Sequence, residues 1–156
     1  MRITFLALGT RGDVQPLLAL AVGLQKTGRH RICFAAPDNF ESLIREYQLD
    51  FFSLGIDTHM LMGTAELATG MEAGRDFLLL FVRVLRAIKP ILALLMERTW
   101  LSCKTAETII YSYIGIGAYH VAEKTGVPCF MATSVLGLAP TRAYSSPDGD
   151  SPRLPL

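Results

Sequence analysis

The sequence is thin in the residues that most often announce a chemistry. Of its 156 residues only 3 are cysteine and 3 histidine. Cys33, Cys103 and Cys129 are odd in number, far apart and in no Cys-x-x-Cys pair. That pattern excludes a disulfide framework and a thiolate metal site, and leaves free buried thiols in a reducing compartment. Charge is equally sparse, with 19% of residues charged and a net charge of +1. Lys and Arg form no run longer than Arg29-His30-Arg31. Nucleic acid is excluded as a partner, because phosphate binding calls for a concentrated basic face.

Uninterrupted apolar runs are missing too, although hydrophobic residues reach 51%, the upper end for a soluble domain. In the most apolar region, 77–101, Arg83, Arg86, Lys89 and Pro90 intervene before Glu97 and Arg98. Nothing approaches the roughly 18 apolar residues that a spanning helix requires. On a helix Arg83, Arg86 and Glu97 fall at neighbouring angles, so the region reads as an amphipathic helix packed on a sheet. Near the N-terminus, Gly9-Thr10-Arg11-Gly12-Asp13 stops the first apolar run where the core of a signal peptide would continue.

What is present is an alternation of strand and helix signals over the length of one domain. Ile3 to Leu8 is a continuous apolar run, as in a parallel strand covered on both faces. Residues 14–27 have helical periodicity and stop at Gly28. Arg31 to Ala36 is a second strand ended by Pro37, and Asp38 is placed to cap a helix over 39–48. Further strands are expected over 51–54, 108–113 and 128–132, with a short helix over 65–71 and a helix over 116–125 stopped by Gly126. A long helix over 75–101 should bend or divide near Pro90. From Pro140 onward, Pro, Ser and Gly mark a loop or linker. The alternation implies an α/β fold, a Rossmann-like doubly wound parallel sheet with right-handed crossovers.

In such a sheet ligands bind at the carboxyl ends of the strands. Five loops lie there: Gly9 to Asp13, Pro37-Asp38, Gly55 to His59, Tyr113 to Gly117, and Thr133 to Gly137. The first is the most informative. Gly9 and Gly12 permit a sharp turn and close approach to a ligand, and Asp13 stands where the first helix begins. A dinucleotide site would need Gly-x-Gly-x-x-Gly, which this loop does not supply, although Asp38 mimics a ribose-binding acid.

The run Gly9-Thr10-Arg11-Gly12-Asp13-Val14-Gln15-Pro16, continued by Leu17-Leu18-Ala19-Leu20-Ala21, is far more specific. It resembles the opening of the glycosyltransferases that act on sterols and on glycopeptide or polyketide aglycones. Pro140-Thr141-Arg142-Ala143-Tyr144 is similar to the stretch after the fifth strand in the sterol branch. The resemblance spans essentially the whole chain. It implies one half of a GT-B architecture, in which two Rossmann-like domains face each other across a cleft. Residues 1–139 would be the N-terminal, acceptor-side domain and 140–156 a Pro-rich loop or truncated linker. The C-terminal domain that grips the nucleotide sugar would be supplied in cis or by a separate chain, so this piece alone is expected to be inactive.

The implied reaction moves a hexose from a nucleotide sugar, a UDP-sugar by resemblance, to a hydroxyl of a lipophilic acceptor such as a sterol or aglycone, with inversion. The nucleotide sugar is a co-substrate and no cofactor is expected. No metal is expected either, since the acidic metal motif of the other major glycosyltransferase fold is not visible. The implied location is cytoplasmic; peripheral membrane contact suits a lipid acceptor, although no basic amphipathic helix announces it.

Asp13 matches the family's general base, and a positioned carboxylate can take the proton of an attacking alcohol. Equally, Asp13 can simply cap the first helix. Gly9, Thr10, Arg11 and Gly12 are candidate substrate contacts, with Arg11 either facing a phosphate or the acceptor or pairing a neighbouring acid. His59, Ser134 and Val135 lie near the expected cleft, although His59 also fits a surface loop; His30 and His120 read as structural. Met60, Met62, Met71, Phe77 and Phe81 could line an acceptor pocket or belong to the core. Two other functions stay open: a non-catalytic lipid- or partner-binding module, and a dinucleotide-binding oxidoreductase.

Overall fold

Parallel strands that must be covered on both faces read as short apolar runs, and the runs read as strands in this chain become strands. The computed structural model describes residues 1–58 and 77–133, with the backbone alone for 77–88 and 90. Its strands are β1 (Arg2–Leu6), β2 (Arg31–Ala36), β3 (Asp50–Ser53), β4 (Thr108–Tyr111) and β5 (Cys129–Met131). All pairings are parallel, in the order β3-β2-β1-β4-β5. The α-helices among the described residues are α1 (Arg11–Lys26), α2 (Glu41–Glu46), α3 (Phe77–Cys103) and α4 (Gly117–Thr125).

Side chains alternate across β1 and divide the core in two. Ile3, Phe5 and Ala7 join Val14, Leu17, Leu18 and Ala21 of α1 and Ile44 of α2. Leu6 joins Ala118, Val121 and Ala122 of α4 on the opposite face, where Ile91, Leu95 and Trp100 of α3 pack against the cluster. Phe5 and Phe34 stack across β1 and β2 at 5.7 Å between ring centroids.

The expected elements differ from the observed ones mainly at their ends. α1 begins at Arg11 rather than Val14, with Thr10 as N-cap, and carries Pro16 inside it. The helix expected over 39–48 is a 3-10 turn, Asp38–Phe40, followed by the short α2. Asp38 therefore opens the turn instead of capping a helix from outside. α3 continues through Pro90 without dividing and ends at Cys103. Gly28 and Gly126 adopt φ of +68° and +72° at the ends of α1 and α4, the left-handed conformation that stops a helix. The short helix expected over 65–71 and the tail from Pro140 lie outside the described residues.

Because β1 lies between β2 and β4, the chain order reverses at β1. The helix after β1 covers one face and the helix after β4 the other, which opens a crevice between their connecting loops.

Candidate functional site

The crevice is built from the segments that leave β1 and β4. Ala7 prolongs the ladder, its N–H donating to Ala35 O at 2.9 Å. Beyond it, a side chain replaces the neighbouring strand. Ser112, only 2% exposed, accepts from Leu8 N–H and donates to Leu8 O through the same Oγ, each at 2.9 Å. Its own N–H donates to Leu6 O at 2.9 Å. Both exits from the sheet are thereby tied together immediately before the loop 9–13.

Gly9 follows with φ +128°, a conformation that L side chains rarely adopt. A Cβ there would also lie 2.8 Å from Asp13 Cγ. Asp13, half-buried in the first turn of α1, folds its carboxylate back over this glycine. Its Oδ2 accepts from Thr10 N–H at 2.8 Å and from Thr10 Oγ1 at 3.1 Å. Among the described residues no hydrogen bond reaches Oδ1. One oxygen is fixed by the N-cap, and the other is available to an incoming group.

Gly12 differs from Gly9. Its φ is not in the left-handed region, and a Cβ would meet only Thr10 Oγ1, at 3.6 Å. The fold itself does not demand glycine at this exposed position. Arg11 is exposed and, among the described residues, meets no acid. The Gln15 amide, turned with its oxygen toward the guanidinium, accepts from Nε and an Nη at 3.2 Å. Arg11 therefore rests on a neutral amide one helical turn away, and its charge is not cancelled by that contact.

On the α3 side of the same crevice lies an open groove of about 220 Å³. Leu6 and Leu8 of the β1 segment form part of its floor, Leu92 and Met96 of α3 one wall, and Ile114 and Ile116 after β4 the other. Four of these are well exposed for large aliphatic side chains: Leu92 45%, Met96 44%, Ile114 51% and Ile116 62%. Polar groups in the lining are few, chiefly Thr99 and His120. No local pattern in the chain announces this groove. Its walls come from residues some twenty positions apart, and only the i, i+4 pair Leu92 and Met96 is a local signal.

Gly9, Thr10, Arg11, Gly12 and Asp13 are thus brought together at the crevice, beside the groove. His59, Ser134 and Val135 lie outside the described residues, as do Met60, Met62, Met71 and the segment Pro140 to Tyr144; so do the side chains of Phe77 and Phe81. His120, expected to be structural, lines the groove, with Nδ1 3.9 Å from Glu123 Oε2. Among the described residues, nothing bonds the buried Nδ1 of His30. Asp38 accepts a short hydrogen bond from Ser53 Oγ, which in turn accepts from Gly55 N–H at 3.0 Å. That bond spends Asp38 on joining the ends of β2 and β3. Burial pushes the Cys33 and Cys103 thiols up to about 11, so both are packing groups. Among the described residues, no cluster of three His, Cys, Asp or Glu side chains is placed to hold a metal, and no helix is long and apolar enough to cross a membrane.

Comparison with known proteins agrees with this architecture. The model of the glycosyltransferase family 28 N-terminal domain matches residues 3–144. The sterol 3-beta-glucosyltransferase of Candida albicans is 30% identical over 142 residues, covering 91% of this chain and 9% of that protein. A sterol 3-beta-glucosyltransferase of Arabidopsis thaliana is 35% identical over 132 residues, covering 82% of this chain and 21% of its own length. The chain therefore spans a small part of the curated relatives it matches. Among solved structures, the calicheamicin glycosyltransferase CalG4 superposes with a TM-score of 0.62 at 18% identity, over 92% of this chain and 34% of that one. The glycosyltransferase of kitacinnamycin gives 0.61 at 16% identity, over 85% and 30%. The fold is the Rossmann-like domain of GT-B glycosyltransferases, and this chain covers one such domain.

Proposed function

Because this chain belongs to the glycosyltransferase family 28 N-terminal domain family, we propose that it is the acceptor-binding half of an inverting hexosyltransferase. The acceptor is a lipophilic alcohol, a sterol or similar aglycone, and the donor is a nucleotide sugar, a UDP-sugar in the first instance. A second Rossmann-like domain, in cis or on another chain, supplies most of the donor's contacts, so that the 156-residue chain alone does not transfer sugar. No cofactor takes part. The enzyme works on the cytoplasmic side, touching the membrane from which it draws its acceptor.

The reading rests on one observation, the divided duty of the Asp13 carboxylate at the crevice. Oδ2, held by Thr10, fixes the group in place. Oδ1 accepts the proton of the acceptor hydroxyl as its oxygen attacks the anomeric carbon, and the nucleoside diphosphate departs with the bonding pair. Gly9 makes room for the carboxylate, and Gly12 leaves the outer surface of the loop bare for a substrate lying against it. Arg11 balances charge on the departing diphosphate. His59, Ser134 and Val135 are assigned to the cleft wall on their place after β3 and β5.

The hydrogen bonds from Thr10 also favour a second reading, in which Asp13 only caps α1 and the domain binds lipid or a partner without catalysis. Asp13→Asn in the complete two-domain enzyme separates the two. Asparagine keeps an oxygen for Thr10 N–H but is no base, so turnover should drop about a hundredfold or more with acceptor affinity nearly unchanged. Unchanged turnover would leave Asp13 as a cap. The oxidoreductase alternative loses its ribose acid, since Asp38 is tied to Ser53; titrating the chain with NAD and NADP tests it.

A further inference from the structure

The groove beside the crevice has a feature that its chemistry alone does not explain. Gly117 is the first residue of α4 and its φ is not in the left-handed region. Glycine is a poorer helix residue than alanine. Backbone conformation gives no reason for it here. Space does: a Cβ on Gly117 would lie 3.2 Å from Met96 Sδ, 3.7 Å from Thr99 Cγ2 and 3.9 Å from Met96 Cε. The missing side chain forms a recess that receives the Met96 thioether. Met96 forms one wall of the groove and is 44% exposed. Methionine is unbranched and adapts its shape to what it touches, so a wall made of it can yield.

We infer that Met96, seated against Gly117, sets the width of the groove and so determines which apolar bodies it admits, the occupant being the ring system of the lipophilic acceptor. The inference rests on the acceptor reading above. Three observations support that occupant over a second copy of the chain. The groove lies at the point where the strand order reverses, where α/β sheets bind ligands. Its floor includes Leu8, the residue next to the loop that carries Asp13. Its volume of about 220 Å³ falls below the roughly 300–1,000 Å³ of a pocket that takes a whole drug-sized molecule. The groove therefore receives one apolar end of the acceptor and leaves the other outside it.

The test is a fluorescence titration of the 156-residue chain with dehydroergosterol, a sterol that fluoresces by itself. Gly117→Ala fills the recess and pushes Met96 into the groove; binding should weaken about tenfold. Adding Met96→Ala to Gly117→Ala removes the displaced wall and should recover most of the loss. Ile116→Glu, at a residue 62% exposed, should abolish binding with the fold intact by circular dichroism. Leu20→Glu, at an exposed leucine of α1 on the far face, should bind as the parent does. Parental binding by Gly117→Ala or by Ile116→Glu overturns the inference while the acceptor reading stands. Failure of the parent chain to bind the sterol overturns the inference and strikes the sterol, though not other aglycones, from the acceptor reading. Should Gly117→Ala fail to fold, Leu92→Glu takes its place, and parental binding by that variant is equally fatal.

Discussion

Ser112 and Leu8 are joined twice through one atom, the serine Oγ accepting from the leucine N–H and donating to its C=O, both at 2.9 Å. A side chain thus does the work of a strand for one residue, at the point where the backbone must leave the sheet. Ser112→Ala would leave both Leu8 groups without their partner. We expect it to destabilise the chain by about 2 kcal/mol, read as a lower urea midpoint at unchanged slope. The loop carrying Asp13 would lose its anchor, so transfer by the complete enzyme should fall as well.

The two glycines of the loop should respond in opposite ways. Gly9→Ala forces a side chain onto a backbone with φ +128° and against the Asp13 carboxylate. It should cost about 1–3 kcal/mol from strain alone and lower turnover by moving the carboxylate. Gly12→Ala meets no obstacle among the described residues and should stabilise α1 by up to about 0.5–1 kcal/mol. In the complete enzyme it should nevertheless raise KM, because a methyl group then stands where we propose that the substrate lies. Thermal melts and steady-state kinetics on the pair check both expectations.

Stability should fall at high pH through the thiols. Burial pushes the Cys33 and Cys103 thiols from an ordinary 9.0 up to about 11 in the folded chain, and it is the largest cause for each. Below pH 9 both states hold the proton and the contribution is constant. Between pH 9 and 11 the unfolded chain loses protons that the folded chain keeps, so stability declines as pH rises. The slope reaches about 1.4 kcal/mol per pH unit for each thiol. Replacing both by alanine should flatten the urea midpoint over that range. At pH 8 the native chain should react with a thiol reagent far more slowly than the unfolded one.

The central strands were legible because burial on both faces leaves a mainly apolar signature; β1 and β4 show it in Phe5, Leu6, Ile109 and Ile110. Their carboxyl ends point to the loop 9–13 from the strand pattern alone. The start of α1 was misplaced because Gly12 and Pro16 weaken the helical pattern. The signal that would have found it is the spacing of Thr10 and Asp13, a capping box with Asp in place of Glu. Asp38 looked like a helix cap or a ribose contact, and only tertiary structure shows it bound to Ser53. Ser112 and the groove were not legible, since each depends on segments that meet only after folding: Leu8 lies 104 residues from Ser112.

The two faces of β1 also divide the labour of the site. Ala7 points into the layer of α1, the helix that bears the acid, whereas Leu6 points into the layer built by α3 and α4. A lineage can therefore redraw its hydrophobic wall, one residue at a time, without touching the turn that holds the Asp13 carboxylate. Variation of the apolar lining around an unchanged loop is the evolutionary path that such a partition leaves open.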